Sequence, residues 1–192
     1  DYRYDRGIFG SEWVGFDNFE FFLKTQDAWR VTFNTLFLNA LFIFCGLIAA
    51  VGLALLLFEI KNKISIKVYQ TIIILPHFLS WVVVGYMAYA FLSPEYGFIN
   101  GVLQGIGIEP IQWYSKPEYW PAMLTFWNVW KCAGMNSVTY YAGLMGIDSG
   151  YFEAAELDGA SKIQKIWHIS LPSIKPLITI MTVWRWEIFF EL

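Results

Sequence analysis

Charge is scarce in this sequence: 13 Lys and Arg and 16 Asp and Glu make up 15% of 192 residues, against about 25% in an ordinary soluble domain. That deficit excludes a surface wetted on all sides. The net charge of −3 is small and no Lys/Arg-rich block is present, so there is no ground for nucleic acid as a partner. Cysteine is limited to Cys45 and Cys132, both inside apolar runs, which excludes a disulfide framework and a metal site of usual Cys/His spacing; each is expected to be a small buried apolar residue. The two histidines, His77 and His168, lie in separate segments and form no catalytic cluster. No G-x-x-x-x-G-K-[ST] sequence occurs, so Walker-type nucleotide binding by this chain is excluded. No signal-peptide pattern is visible. The start at Asp1 and the end inside an apolar run at Leu192 suggest a piece of a longer chain.

Hydrophobic residues, at 57%, and aromatic ones, at 20%, are what the sequence has in abundance. They fall in runs. From Val31 to Phe58 no residue is charged, and 28 residues at about 1.5 Å each reach roughly 42 Å, enough to cross a bilayer at a tilt. Glu59 to Lys67 then places three lysines in nine residues, a short loop expected on the cytoplasmic side by the positive-inside rule. Residues 68–92 form a second expected span in which Pro76 kinks or breaks the helix; a break at membrane depth is tolerated only beside protein or a wet cavity. Residues 93–119 read as an outside loop, within which Phe98, Ile99, Val102, Leu103 and Ile106 share one helical face and suit a helix lying on the interface.

A third expected span, 120–147, is rich in Trp, Tyr, Asn and Gly and carries Lys131 near its middle. Residues 148–175 form a polar loop, inside by alternation, and a fourth run covers 176–192. Arg3, Arg6, Lys24 and Arg30 oppose this topology because parity places the N-terminal residues outside; six acidic residues accompany them. Trp13, Phe16, Phe19, Phe21, Phe22 and Trp29 suit an aromatic layer at the outer face. The expected fold is therefore an all-α integral membrane protein of about four spans, with residues 1–192 as one membrane domain.

The loop 148–175 contains two short helices at an angle. Glu153, Glu156 and Asp158 sit among strong helix formers, Gly159 can take the left-handed conformation that stops the first helix, and Ser161 with Gln164 is a capping-box pattern for the second. Ile163, Ile166 and Trp167 fall on one face, and Pro172 is expected to end the element at Leu171. Such a hairpin either plugs the groove of a soluble partner or rests on its own membrane domain or on lipid headgroups.

Glu153-Ala154-Ala155, three residues, Gly159, nine residues, then Ile169 and Leu171-Pro172 resemble the EAA loop of bacterial binding-protein-dependent ABC importer permeases. The resemblance extends to W-V-G-F-D-N-F (Trp13–Phe19), N-T-L-F (Asn34–Phe37), I-L-P (Ile74–Pro76), Y-G-F-I-N (Tyr96–Asn100) and G-L-M-G-I-D ahead of the loop, as in the carbohydrate-type branch. Trp130-Lys131 with Tyr140-Tyr141-Ala142-Gly143-Leu144 is most similar to its polysaccharide and oligosaccharide group. The likeness weakens after Thr182.

The resemblance implies a type I importer permease bundle in a bacterial cytoplasmic membrane. It implies that Glu153 pairs with a basic residue of a cytoplasmic ABC ATPase dimer, that Gly159 allows the bend, and that Ala154, Ala155, Asp158, Ala160, Ile169, Leu171 and Pro172 complete the coupling helices. ATP and magnesium would bind the ATPase, with no cofactor on this chain; a second, different permease subunit and an extracytoplasmic solute-binding protein would complete the assembly.

A sugar path requires aromatic faces and amide or hydroxyl groups. Trp127, Asn128, Trp130, Lys131, Asn136, Tyr140 and Tyr141 offer both, although membrane aromatics also serve packing and interfacial anchoring. Lys131, an ionisable group inside a span, either contacts an acidic sugar or pairs with a carboxylate of another helix. His77 either relays protons or satisfies carbonyls freed by Pro76. A reading from another class remains, an ion-coupled secondary transporter of a small polar solute using Lys131, Arg185 or Glu187, the last two on different faces of their helix.

Overall fold

The computed structural model describes residues 4–5, 7–10, 15–16, 19–20 and 24–191, without the side chains of residues 8, 26 and 187–191. Arg3, Arg6, Trp13, Phe21 and Phe22, and most of the W-V-G-F-D-N-F segment, lie outside the described residues. The chain packs as two compact units, Asp1–Ala40 and Leu41–Leu192.

In the first unit a short helix, α1 (Gly7–Gly10), precedes the start of α2 (Gln26–Phe58). Helix α2 begins five residues before the uncharged run, because Asp27 in its first turn suits the positive helix end and pairs with Arg30 at 3.0 Å. Lys24 likewise pairs with Glu20. These two N-terminal cations are thus held by neighbouring acids. Phe16, Phe19 and Trp29 are exposed, as residues of an interfacial layer would be.

Among the described residues of the second unit, all regular secondary structure is helical. After α2 come α3 (Lys63–Ile74), a 3-10 turn (Leu75–Phe78), α4 (Trp81–Leu92), α5 (Phe98–Gly105), α6 (Trp120–Met145), α7 (Ser149–Leu157), α8 (Lys162–Lys165), a π turn (Ile166–Ser170) and α9 (Leu171–Glu191). Two helices among the described residues are long and apolar enough to cross a membrane, Asp27–Phe58 and Lys162–Trp186, and the bent pair Lys63–Phe78 and Trp81–Leu92 adds a third if counted as one span. Helix α6 has the length, at 26 residues, but its Trp, Tyr, Asn and Lys side chains make it less apolar.

The break expected at Pro76 is present and sharp. The 3-10 turn contains Pro76, Leu79 and Ser80 are extended, and Ser80 caps α4 by accepting from the Val83 N–H at 3.3 Å. The two arms meet at 98°. Helix α3 starts at Lys63, capped by Asn62, so part of the lysine-bearing loop is already helical.

Helices α2, α6 and α9 meet around Ala50, Val51, Ala54, Tyr140, Leu144 and Ile174. Small residues let the backbones approach, as lipid-embedded helices require. At Gly143 an added Cβ would lie 2.7 Å from Leu177 Cδ2, and at Gly134 it would lie 1.7 Å from the Ile73 carbonyl oxygen. The broken helix therefore crosses α6 backbone to backbone.

One expectation fails in the last helix. Pro172 does not end an element; Lys162–Trp186 is continuous and the apolar run from Pro176 lies within it. The π turn is the reason. Leu171 N–H donates to Ile166 O, five residues back, and this widened turn accommodates a proline ring that a regular α-turn would drive against the carbonyl four residues earlier.

Candidate functional site

The hairpin between α6 and α9 is built by local chemistry. Asp148 caps α7 by accepting from Gly150 N–H at 2.8 Å. The other end is a Schellman motif: Gly159, at φ +77°, donates to Glu156 O at 3.0 Å, and Ala160 N–H donates to Ala155 O at 2.9 Å. Ser161 and Gln164 then form the expected capping box, each side chain accepting from the other's backbone N–H. Lys165 donates to Glu156 at 2.6 Å across the bend. The Lys165 ammonium, by that hydrogen bond and by its charge, holds the Glu156 carboxyl below the usual carboxylate range.

The hairpin is fastened to the far end of α2. Lys162 Nζ stands 3.0 Å from Glu59 Oε2, and the Phe58 and Phe152 rings lie 5.6 Å apart. Both lysine-bearing segments thus occupy one end of the second unit. Of the residues assigned to coupling, Glu153, Ala154, Asp158, Gly159 and Pro172 are exposed, whereas Ala155, Ala160, Ile169 and Leu171 are half-buried. Leu171 packs against the core. The apolar stripe divides: Ile166 is half-buried, but Ile163 and Trp167 are 69% and 65% exposed, as are Tyr151 at 66% and Leu157 at 90%. The hairpin does not bury this surface on its own chain.

The candidate path residues fall on two faces of α6. Trp127, Trp130 and Lys131 face the broken helix: the Trp127 ring lies 5.5 Å from Trp130 and 6.3 Å from Phe91 of α4. Both tryptophans line a cavity of about 490 Å³ with Phe91, Trp113, Met123 and Phe126, a volume within the range of ligand sites. Asn136 and Tyr140 lie on the side toward α2 and α9, Tyr140 inside the core and Tyr141 packed against it. Asn128 is half-buried.

Lys131 is held within the chain at the break of the broken helix. It is 7% exposed; its Nζ donates to the His77 carbonyl at 2.7 Å and lies 5.3 Å from the centre of the Trp81 ring. Among the described residues no carboxylate pairs with it. The His77 carbonyl beside the break is thus met by Lys131, and the His77 side chain is exposed against Phe78.

Sequence reasoning assigned no role to Asn100. Its amide, 1% exposed, donates to Ser93, Pro94 and Ile111 carbonyls and accepts from Ile111 N–H and Trp113 Nε1 at 3.1 Å each. Three of the five bonds tie α5 to the segment before α6, and two tie it to the turn that follows α4. Its place in Y-G-F-I-N was the available signal. The apolar face of α5 remains outward, with Phe98, Val102 and Ile106 exposed.

Residues 42–191 match the family described as binding-protein-dependent transport system inner membrane component. Over 192 residues the chain is 34% identical to protein LplB of Bacillus subtilis, covering all of this chain and 60% of that protein. It is 34% identical over 183 residues to the polygalacturonan/rhamnogalacturonan transport system permease protein YteP of the same organism, covering 95% of this chain and 57% of YteP. Among solved structures it is similar to a bacterial ABC transporter involved in the import of the acidic polysaccharide alginate, with a TM-score of 0.88 and 36% identity over 96% of this chain and 64% of that one. The chain thus spans about 60% of the length of these two relatives.

Proposed function

The chain belongs to the family of binding-protein-dependent transport system inner membrane components, and on that premise we propose that it is part of the permease subunit of an ATP-driven importer, multi-pass in a bacterial cytoplasmic membrane. Its cargo is a sugar or oligosaccharide. The names of the relatives, which specify polygalacturonan, rhamnogalacturonan and alginate, support an oligosaccharide and make acidic ones the first to test. Trp127 and Trp130 on the wall of the cavity of about 490 Å³ supply aromatic faces suited to sugar C–H groups.

The observation that carries the coupling reading is the hairpin 148–167. It is turned at Gly159 and held to α2 by Glu59 and Phe58, and it presents Tyr151, Leu157, Ile163 and Trp167 outward beside an exposed Glu153. Apolar side chains rimmed by charge suit a soluble protein's cleft. We assign that cleft to a cytoplasmic ABC ATPase, with Glu153 meeting a basic residue there; a second permease subunit and a solute-binding protein complete the assembly. A structure of the alginate transporter in complex with a pentasaccharide-bound periplasmic protein supports the last partner.

The test uses the full-length permease in its assembled transporter, reconstituted in proteoliposomes. Glu153→Ala and Gly159→Pro should abolish ATP-dependent oligosaccharide uptake and copurification with the ATPase while leaving membrane insertion intact. Normal uptake by either variant removes the coupling assignment.

A further inference from the structure

Asn136, Tyr140 and Arg185, set on two helices, converge on a small cavity whose other walls are Ile43, Gly46, Leu47, Ala50, Met181 and Thr182. The Asn136 Nδ2 is buried without a hydrogen-bond partner. An unmet amide N–H away from water is costly, the more so inside a membrane. Arg185 lies on the last long apolar helix, and among the described residues no carboxylate pairs with it. Helix α2 is cut back to admit it: a Cβ at Gly46 would lie 3.0 Å from Arg185 Nη1. The Thr182 hydroxyl is committed to Ile178 O at 2.7 Å.

The unmet polar atom at this space is a donor, the Asn136 amide nitrogen, and the charged side chain that lines it is donor-only. A guanidinium offers five N–H groups and no acceptor, the amide nitrogen two, and the tyrosine hydroxyl one. Such a set requires an acceptor, and a cation among helices requires a counter-charge. The space open to the centre of a water-sized atom is about 10 Å³, room for one small occupant and too little for a sugar ring or a free carboxylic acid. Water fits by size, but it leaves the guanidinium charge uncompensated. A monatomic anion meets both needs.

We propose that Arg185, Asn136 and Tyr140 form a halide site inside the helix bundle, in which a chloride ion is the counter-ion of Arg185 and completes the junction of α2, α6 and α9. The site is separate from the cavity lined by Trp127 and Trp130. It is structural, and it carries no transported ion.

The assembled transporter with the full-length chain is purified in sodium gluconate and titrated with sodium chloride or bromide at constant ionic strength while thermal unfolding is followed. The wild type should gain about 3 °C, saturably, and bromide should give an anomalous diffraction peak beside Arg185. The gain should vanish in Arg185→Gln. Because that variant can fail to fold, Asn136→Asp provides the second arm: a tethered carboxylate replaces the ion, so its midpoint in gluconate should match the wild type in chloride and should not respond to halide. A wild-type midpoint indifferent to halide, or an Asn136→Asp protein that still gains with chloride, overturns the site. Normal ATP-driven uptake in that event leaves the permease reading intact.

Discussion

The Lys131 ammonium and the His77 carbonyl, 54 positions apart in sequence, meet at 2.7 Å where the broken helix turns by 98°. The carbonyl belongs to the 3-10 turn that contains Pro76, and the Trp81 ring at the start of the next arm has its centre 5.3 Å from the ammonium. One side chain from α6 thereby ties both arms of the break.

Lys131→Met should remove that tie and leave a carbonyl unmatched. Hydrogen bonds to charged groups contribute about 1.5–3 kcal/mol, so the thermal midpoint of the solubilised protein should fall by several degrees. Trp81→Leu alone should cost less, about 0.5–2 kcal/mol for a cation–π contact. In the double variant the two losses should be less than additive, because both act on the same ammonium. Strict additivity in a double-mutant cycle would mean that the ring and the carbonyl do not share it.

Gly134→Ala should prevent proper assembly of the bundle, since the added Cβ would stand 1.7 Å from the Ile73 carbonyl oxygen and backbone cannot be displaced cheaply there. Its cost should exceed about 3 kcal/mol, above the usual range for overpacking. Gly52→Ala is the control. Nothing lies within 4 Å of its Cβ position, so helix propensity alone should act and add up to about 1 kcal/mol. Yield and unfolding midpoint of the two proteins make the comparison.

The Glu156–Lys165 contact should make the hairpin acid-sensitive. The Glu156 carboxyl titrates below its ordinary value in the folded chain; its contribution is therefore complete above the ordinary carboxylate pKa, and it is lost as pH falls through the lowered folded value. Neutral pH lies above that window. A carbon-13 NMR titration of the Glu156 carboxyl should show the lowered midpoint, and Lys165→Ala should return it to the ordinary range. An unchanged midpoint in the variant would separate the shift from Lys165.

Glu59 and Lys162 should matter more for coupling than for stability. The pair is exposed, with side chains 38% and 77% accessible, and such pairs contribute about 0.2–1 kcal/mol. Glu59→Lys should lower cargo-stimulated ATPase activity of the assembled transporter severalfold with little change in unfolding midpoint, and adding Lys162→Glu should restore most of it. Failure of the reversed pair to recover activity would show that the contact does not transmit motion.

Much of this molecule was legible in the chain itself. The uncharged run 31–58, the break at Pro76, the outward apolar face of 98–106, the left-handed Gly159 and the Ser161–Gln164 box are all present. Each depends on dihedral preferences, hydrogen bonds or hydropathy within a few residues, so sequence neighbours suffice to decide them. Pro172 shows the limit of that local logic: its ring is disruptive in an α-turn, and the π turn ahead of it removes the conflict.

Tertiary structure alone chose the partners. Nothing near Lys131 in sequence points to His77, nothing at Gly134 to Ile73, and the polar residues of α6 gave no sign that Trp127 and Lys131 would face the broken helix while Asn136 and Tyr140 turned toward Arg185. Lipid is as apolar as a helix interior, so hydropathy marks which segments enter the membrane and is silent about which face meets which neighbour. Close packing at small residues and the need of each buried polar group for a partner decide that, and both are properties of helices brought together.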